Sequence, residues 1–139
     1  MTSTVGYLAD TSALVRLAWP QVAERLSPLI EAGTVATCAV TDLDLLSLVH
    51  DPTDAADIRA TRSAAFPWLD THDDDLRRAL AVQALLIDTR CPVPWPALVV
   101  AAVAERRRVT VLHYDPAFPV IHKVTGQPVD WVAPEGSLR

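Results

Sequence analysis

Short apolar runs rich in β-branched residues alternate with helix-length segments along this chain, and that alternation limits its fold more than any other feature. Val5-Gly6-Tyr7-Leu8-Ala9, Thr34 to Ala39, Val109 to His113 and Val129 to Val132 each read as a short strand. Thr11 to Leu17 turns helical directly after Asp10, and Pro20 suits the opening of a helix through Val22, Leu26, Leu29 and Ile30 that stops at Gly33. Thr41 reads as an N-cap, with Asp44 three residues on in the capping-box position. Pro52 to Ala65 fits another helix, closed by Phe66-Pro67. Asp73-Asp74-Asp75 charges the start of the next, whose apolar face would carry Leu76, Leu80, Ala84 and Ile87. A further helix runs from Trp95-Pro96 to Arg106-Arg107-Arg108, and a short one spans Phe118 to Val124. The pattern predicts an α/β fold, a mainly parallel sheet flanked by helices on both faces. Without a repeat or long linker, residues 1–139 read as a single domain whose tail frays after about residue 133.

Half of the residues are hydrophobic, ample for a core, yet the longest strongly apolar stretch, Ala97 to Ala104, is far below the ~18 residues of a membrane span. The opening Met-Thr-Ser-Thr has no basic segment leading into an apolar run, so no secretory leader is expected and the chain reads as cytoplasmic. Cys38 and Cys91 lack the spacing of a metal or redox motif and read as small hydrophobes in a reducing compartment. The formal net charge of −5 means that any nucleic-acid contact must be local. With four glycines in all, a phosphate-cradling glycine loop is excluded.

In parallel sheets, ligands gather beyond the carboxyl ends of the strands. Asp10 and Asp115 both fall just past such ends, and Asp44 lies near the start of the helix after the second strand. Hard divalent cations take oxygen ligands, and a metal held by acids can activate water and screen charge developing on phosphorus. Helix-capping and turn roles would explain the same three acids, so spacing alone leaves both readings open.

The motifs around these acids carry a resemblance. Leu8-Ala9-Asp10-Thr11-Ser12-Ala13-Leu14 resembles the opening D-x-S-A segment of PIN-domain toxins of the VapC type, from VapBC toxin–antitoxin systems. Thr37 to Leu45 resembles their second motif, with Asp44 where Glu is usual. Val93 to Ala102 resembles the third, D-x-x-I-A-A, and Thr110 to Phe118 the fourth, H-Y-D-x-D-F. Thr125-Gly126-Gln127-Pro128-Val129-Asp130-Trp131-Val132 matches the ending of one branch. The resemblance implies a PIN-like fold and a Mg²⁺- or Mn²⁺-dependent endoribonuclease acting on tRNA, rRNA or mRNA. It also implies a homodimer neutralised by a VapB antitoxin. Asp10, Asp44 and Asp115 would be the metal ligands and catalytic acids, and Ser12 would hydrogen-bond within their cluster. Arg16, one helical turn beyond Ser12, is the candidate for an RNA phosphate.

The chain departs from the pattern where it matters. Ala97 stands where the family places its third acid, Ala117 replaces another, and Pro119 falls where a further Asp often follows the Phe. Weaker metal binding and reduced activity are expected. Either divergence or an engineered Asp→Ala change would produce Ala97, and the concurrent changes at Ala117 and Pro119 favour divergence. The rival reading is a non-catalytic PIN-like domain that still captures an antitoxin. A phospho-accepting receiver domain is disfavoured, because no Lys follows the late strand where that chemistry needs one. Arg106-Arg107-Arg108 reads as a solvated helix end. His113 reads as structural, and the four tryptophans as core or dimer contacts.

Overall fold

A computed structural model describes residues 4–88 and 90–138, so the first three residues, on which the no-leader reading partly rests, lie outside the described residues. Five parallel strands form one sheet in the order β3-β2-β1-β4-β5. They are β1 (Tyr7–Ala9), β2 (Val35–Cys38), β3 (Trp68–Leu69), β4 (Thr110–His113) and β5 (Val129–Trp131). Seven helices connect and cover them among the described residues: α1 (Thr11–Leu14), α2 (Pro20–Glu31), α3 (Ala39–Leu46), α4 (Pro52–Ala65), α5 (Asp73–Leu85), α6 (Trp95–Arg107) and α7 (Ala117–Thr125).

Strand alternation divides the core into two layers. Leu8, Ala36 and Val111 face a cluster built with α5, α6 and α7, while Ala9, Val35 and Leu112 face one built with Leu14, Val22 and Leu26. The apolar run Ala97 to Ala104 is buried on every face of α6, as expected of a helix hydrophobic all round. Burying Leu98, Val99, Val100 and Val103 stabilises by roughly 1.5–3 kcal/mol per side chain.

Three expectations are corrected. α3 begins at Ala39, so Thr41 is not its N-cap: the Thr41 hydroxyl is buried and donates to the Ala9 carbonyl at 3.1 Å. Leu76, Leu80, Ala84 and Ile87 face outward. The buried stripe of α5 is Asp75, Ala79 and Val82, small enough for close approach to the Ala-rich α6. Asp75 tolerates burial because Arg106 Nε reaches its Oδ1 at 2.9 Å, which removes Arg106 from the solvated helix end; Arg78 and Glu105 pair beside it at 2.8 Å. Val132, Ala133 and Leu138 are buried, and Gly136 at φ 75° turns the chain back. β3 was not expected; its two residues are too few to show a strand period.

Candidate active site

The strand order changes direction between β1 and β4, which makes their carboxyl ends the topological switch point. The register pairs Ala9 with Leu112, and Asp10 N–H donates to the Leu112 carbonyl at 2.9 Å. Asp10 and residues 113–115 therefore leave the sheet side by side. Asp10 caps α1 through Oδ2, which accepts the Ser12 N–H at 3.0 Å and the Ser12 hydroxyl at 2.6 Å. Ser12 Oγ also accepts the Tyr114 N–H at 2.8 Å, tying the β1 loop to the β4 loop. Asp115 is half-buried, and its Oδ1 accepts the Ala117 N–H at the start of α7 at 2.9 Å. Capping and clustering thus coexist: the bonds that cap the helices also aim both carboxylates. Burial pushes the Asp10 carboxyl above the usual carboxylate range, the Asp115 charge pushes the same way, and the Ser12 bonds oppose them.

His113 is fully buried against Phe118 and Trp131, with ring centroids 4.9 and 4.7 Å apart. Its Nδ1 accepts the Asp115 N–H at 3.2 Å, so the ring supports that acid, and its buried Nε2 lacks a partner. Burial lowers its pKa from 6.5 to about 4, against the pull of Asp115 and Asp130. The folded ring stays neutral while the unfolded chain takes up a proton below pH 6.5. Its contribution is therefore full above pH 6.5 and falls as the pH drops toward 4, by up to roughly 3 kcal/mol. Urea melts at pH 7, 5.5 and 4.5 should show this slope in the parent chain and a flatter one in His113→Phe; equal slopes would refute it.

Asp44 stands exposed on the second turn of α3. Among the described residues, no three His, Cys, Asp or Glu side chains are grouped to hold one ion. Ser12 thus bonds Asp10 and ties it to the loop that carries Asp115, and Asp44 completes no three-ligand group among the described residues. Two carboxylates and a hydroxyl suit a hard cation that keeps several waters, as Mg²⁺ does. Ala97, third residue of α6, is 4% exposed and packed in the core, and Ala117 is 1% exposed at the start of α7. Arg16 Nη1 donates to the Ser12 carbonyl at 2.7 Å, and its guanidinium lies 4.6 Å from the Tyr114 ring centroid. Sequence reasoning missed Asp42, whose Oδ1 accepts Thr37 Oγ1 at 2.7 Å and Arg62 Nη2 at 2.6 Å. No sequence signal joins residues 20 apart in this way. A cavity of about 630 Å³ opens beside that pair, lined by Arg59, Ser63 and Trp68, and none of Asp10, Asp44 or Asp115 lines it.

A five-stranded parallel sheet with Asp10 and Asp115 following the strands at its switch point fits a PIN-like domain. No model of a known protein family matches the chain. Ribonuclease VapC21 of Mycobacterium tuberculosis is 38% identical over 136 residues, covering 96% of this chain and 99% of that protein. Ribonuclease VapC51 of the same organism is 38% identical over 133 residues, covering 95% and 96%. The chain therefore belongs to the VapC family of ribonucleases. Among solved structures, the DNA-bound VapBC of Salmonella typhimurium matches with a TM-score of 0.75 at 14% identity, over 94% of this chain and 100% of that one. VapBC-5 of Mycobacterium tuberculosis matches with a TM-score of 0.58 at 25% identity, over 92% and 97%.

Proposed function

We propose that this chain is a Mg²⁺- or Mn²⁺-dependent endoribonuclease of the VapC type, weakened by Ala97, acting on structured RNA in the cytoplasm and neutralised by a VapB-type antitoxin. The observation that carries the reading is that Asp10 and Asp115, each accepting a backbone N–H at a helix start, both follow strands at the β1–β4 switch point. An acid pushed up by burial, with a second acid's charge pushing the same way, is a site suited to a cation. A bound divalent ion would supply charge screening and an activated water for phosphodiester cleavage. Asp10 and Asp115 would hold it, Asp44 would reach it through water, and Ser12 would fix the Asp10 rotamer. Arg16 would meet a phosphate of the RNA.

The rival reading, a non-catalytic partner-binding domain, is favoured by the buried alanines at 97 and 117. Metal titration separates the two. At ten times its dissociation constant, Mn²⁺ stabilises by about 1.4 kcal/mol, which raises Tm by about 5 °C in a domain of this size. Asp10→Asn keeps the cap but removes the buried charge, so it should melt higher than the parent in EDTA and gain nothing from Mn²⁺. An unresponsive parent chain would count against the enzyme.

The resemblance also implies a homodimer, and α5 offers the surface. Leu76, Leu80 and Trp95 are 46%, 65% and 63% exposed and share a shallow groove with Leu98 and Val99. Exposed apolar surface that is contiguous in this way marks an interaction site. Sedimentation should find a dimer that Leu80→Glu converts to monomer; a monomeric parent chain would remove homodimerisation from the reading.

A further inference from the structure

Tyr114 makes four kinds of contact at once. Its N–H goes to Ser12 Oγ, and its ring lies under the Arg16 guanidinium. The ring also meets Trp131 edge-on, at 5.4 Å and 83°. Its hydroxyl is engaged by the end of the described chain: Leu138 N–H donates to Oη at 2.8 Å, and Oη donates to the Leu138 carbonyl at 3.4 Å. Leu138 is held in turn by burial of its side chain in the cluster of Ala13, Leu14, Val22 and Leu26. The approach depends on Gly136, whose φ of 75° a β-branched residue rarely adopts. The ion pairs among the described residues do not include Arg16, so its charge is committed only to the Tyr114 ring and the Ser12 carbonyl.

We propose that segment 134–138 is a latch that fixes Tyr114, and that Tyr114 is a positioning residue holding Arg16 toward an RNA phosphate. The phosphate half rests on the function proposed above. The mechanical half does not. A cation–π contact is directional, because the face of the ring sets where the guanidinium can sit. The hydrogen bonds at Oη pin the far end of the ring's long axis, and the edge contact with Trp131 sets the tilt of its plane about that axis. Arg16 thereby meets the site already oriented, and less freedom is lost when an anion binds.

The test uses the full chain, Tyr114→Phe, Gly136→Val, Arg16→Ala and a chain ending at residue 133. The first readout is the ring-current shift of the Arg16 side-chain protons by NMR, which needs neither metal nor RNA. It should be large in the full chain and reduced in Tyr114→Phe, Gly136→Val and the shortened chain. An unchanged shift would overturn the latch. The second readout is binding of a labelled 15-nucleotide oligouridylate in EDTA across a salt series. Loss of one single-strand phosphate contact lowers the slope of log K against log salt by about 0.7. The latch variants should bind about 3- to 5-fold more weakly, with slopes approaching that of Arg16→Ala, and should add nothing in the Arg16→Ala background. A lower Tm with an unchanged slope would assign the tail a merely structural role and overturn the proposal. A full chain that does not bind the oligouridylate would overturn the phosphate half, while the NMR shift still decides the mechanical half and the metal titration still decides the reading on which the phosphate half rests.

Discussion

Ala97→Asp is expected to raise Mn²⁺-dependent RNA cleavage by about 100- to 1,000-fold over the parent chain. A pair of unit charges ~4 Å apart contributes roughly 4 kcal/mol at an effective dielectric near 20, a scale that corresponds to about a thousandfold in rate. Repulsion among the carboxylates takes back part of it, since Asp10 is already burdened by burial and by Asp115. The local backbone suits an acid. Ala97 is the third residue of α6, and its N–H donates to the Pro94 carbonyl at 3.1 Å. A carboxylate in a first turn interacts favourably with the helix dipole.

The same substitution should carry an opposite signature in the absence of metal. Ala97 packs in the cluster of Leu8, Val100 and Phe118, where a carboxylate without a partner is unfavourable. The variant should therefore melt below the parent chain in EDTA and recover in Mn²⁺, with the two curves crossing as metal is added. Cleavage assays on total tRNA and rRNA with Mn²⁺, Mg²⁺ or EDTA check the first half, and calorimetry checks the second. Cuts by both proteins would mean that the acids already present suffice. Cuts by the variant alone would identify a nuclease disarmed at one position. Silence from both, with no crossing, would leave partner binding as the function.

What was legible in the sequence depended on how local the signal is. α4 was readable at both ends, because the Asp51 side chain caps it at Thr53 N–H and Pro67 follows closely on its last turn. The start of α3 was misplaced by three residues, from an N-cap at Cys38 to one at Thr41, because β2 runs straight into the helix and Cys38 offers no side-chain cap. The face of α5 was misread because large apolar residues dominate any periodicity, whereas close packing against α6 selects Ala79 and Val82. Asp10 and Asp115 were legible because a strand end is a local feature and the parallel sheet brings such ends together. Asp44 was legible as a motif position but not as an exposed side chain. Tyr114 gave no hint of its role: its partners lie 102 and 24 residues away.

Arg62→Met should lower stability by about 3 kcal/mol, seen as a fall in Tm of about 10 °C. Arg62 is only 9% exposed, and its guanidinium makes three hydrogen bonds through Nε and Nη2. Nε and Nη2 reach Asp42 Oδ1 at 3.1 and 2.6 Å, Nη2 reaches Thr37 Oγ1 at 2.9 Å, and the group lies 5.0 Å from the Phe66 ring centroid. Removing the cation strands a partly buried carboxylate, and that stranded charge supplies most of the loss. Asp42→Leu in the Arg62→Met background should therefore recover most of the stability, because a buried pair replaced by apolar groups of similar volume is close to neutral. A double variant as unstable as Arg62→Met would refute this and assign the loss to packing against Phe66. Because Asp42 and Asp44 share α3, the pair also anchors the helix that carries the outer acid. If Asp44 reaches the metal through water, Arg62→Met should weaken the Mn²⁺ response and the double variant should restore it along with Tm. Stability that returns without the Mn²⁺ response would mean that the ion pair orients Asp44 directly and does more than hold α3 against the sheet.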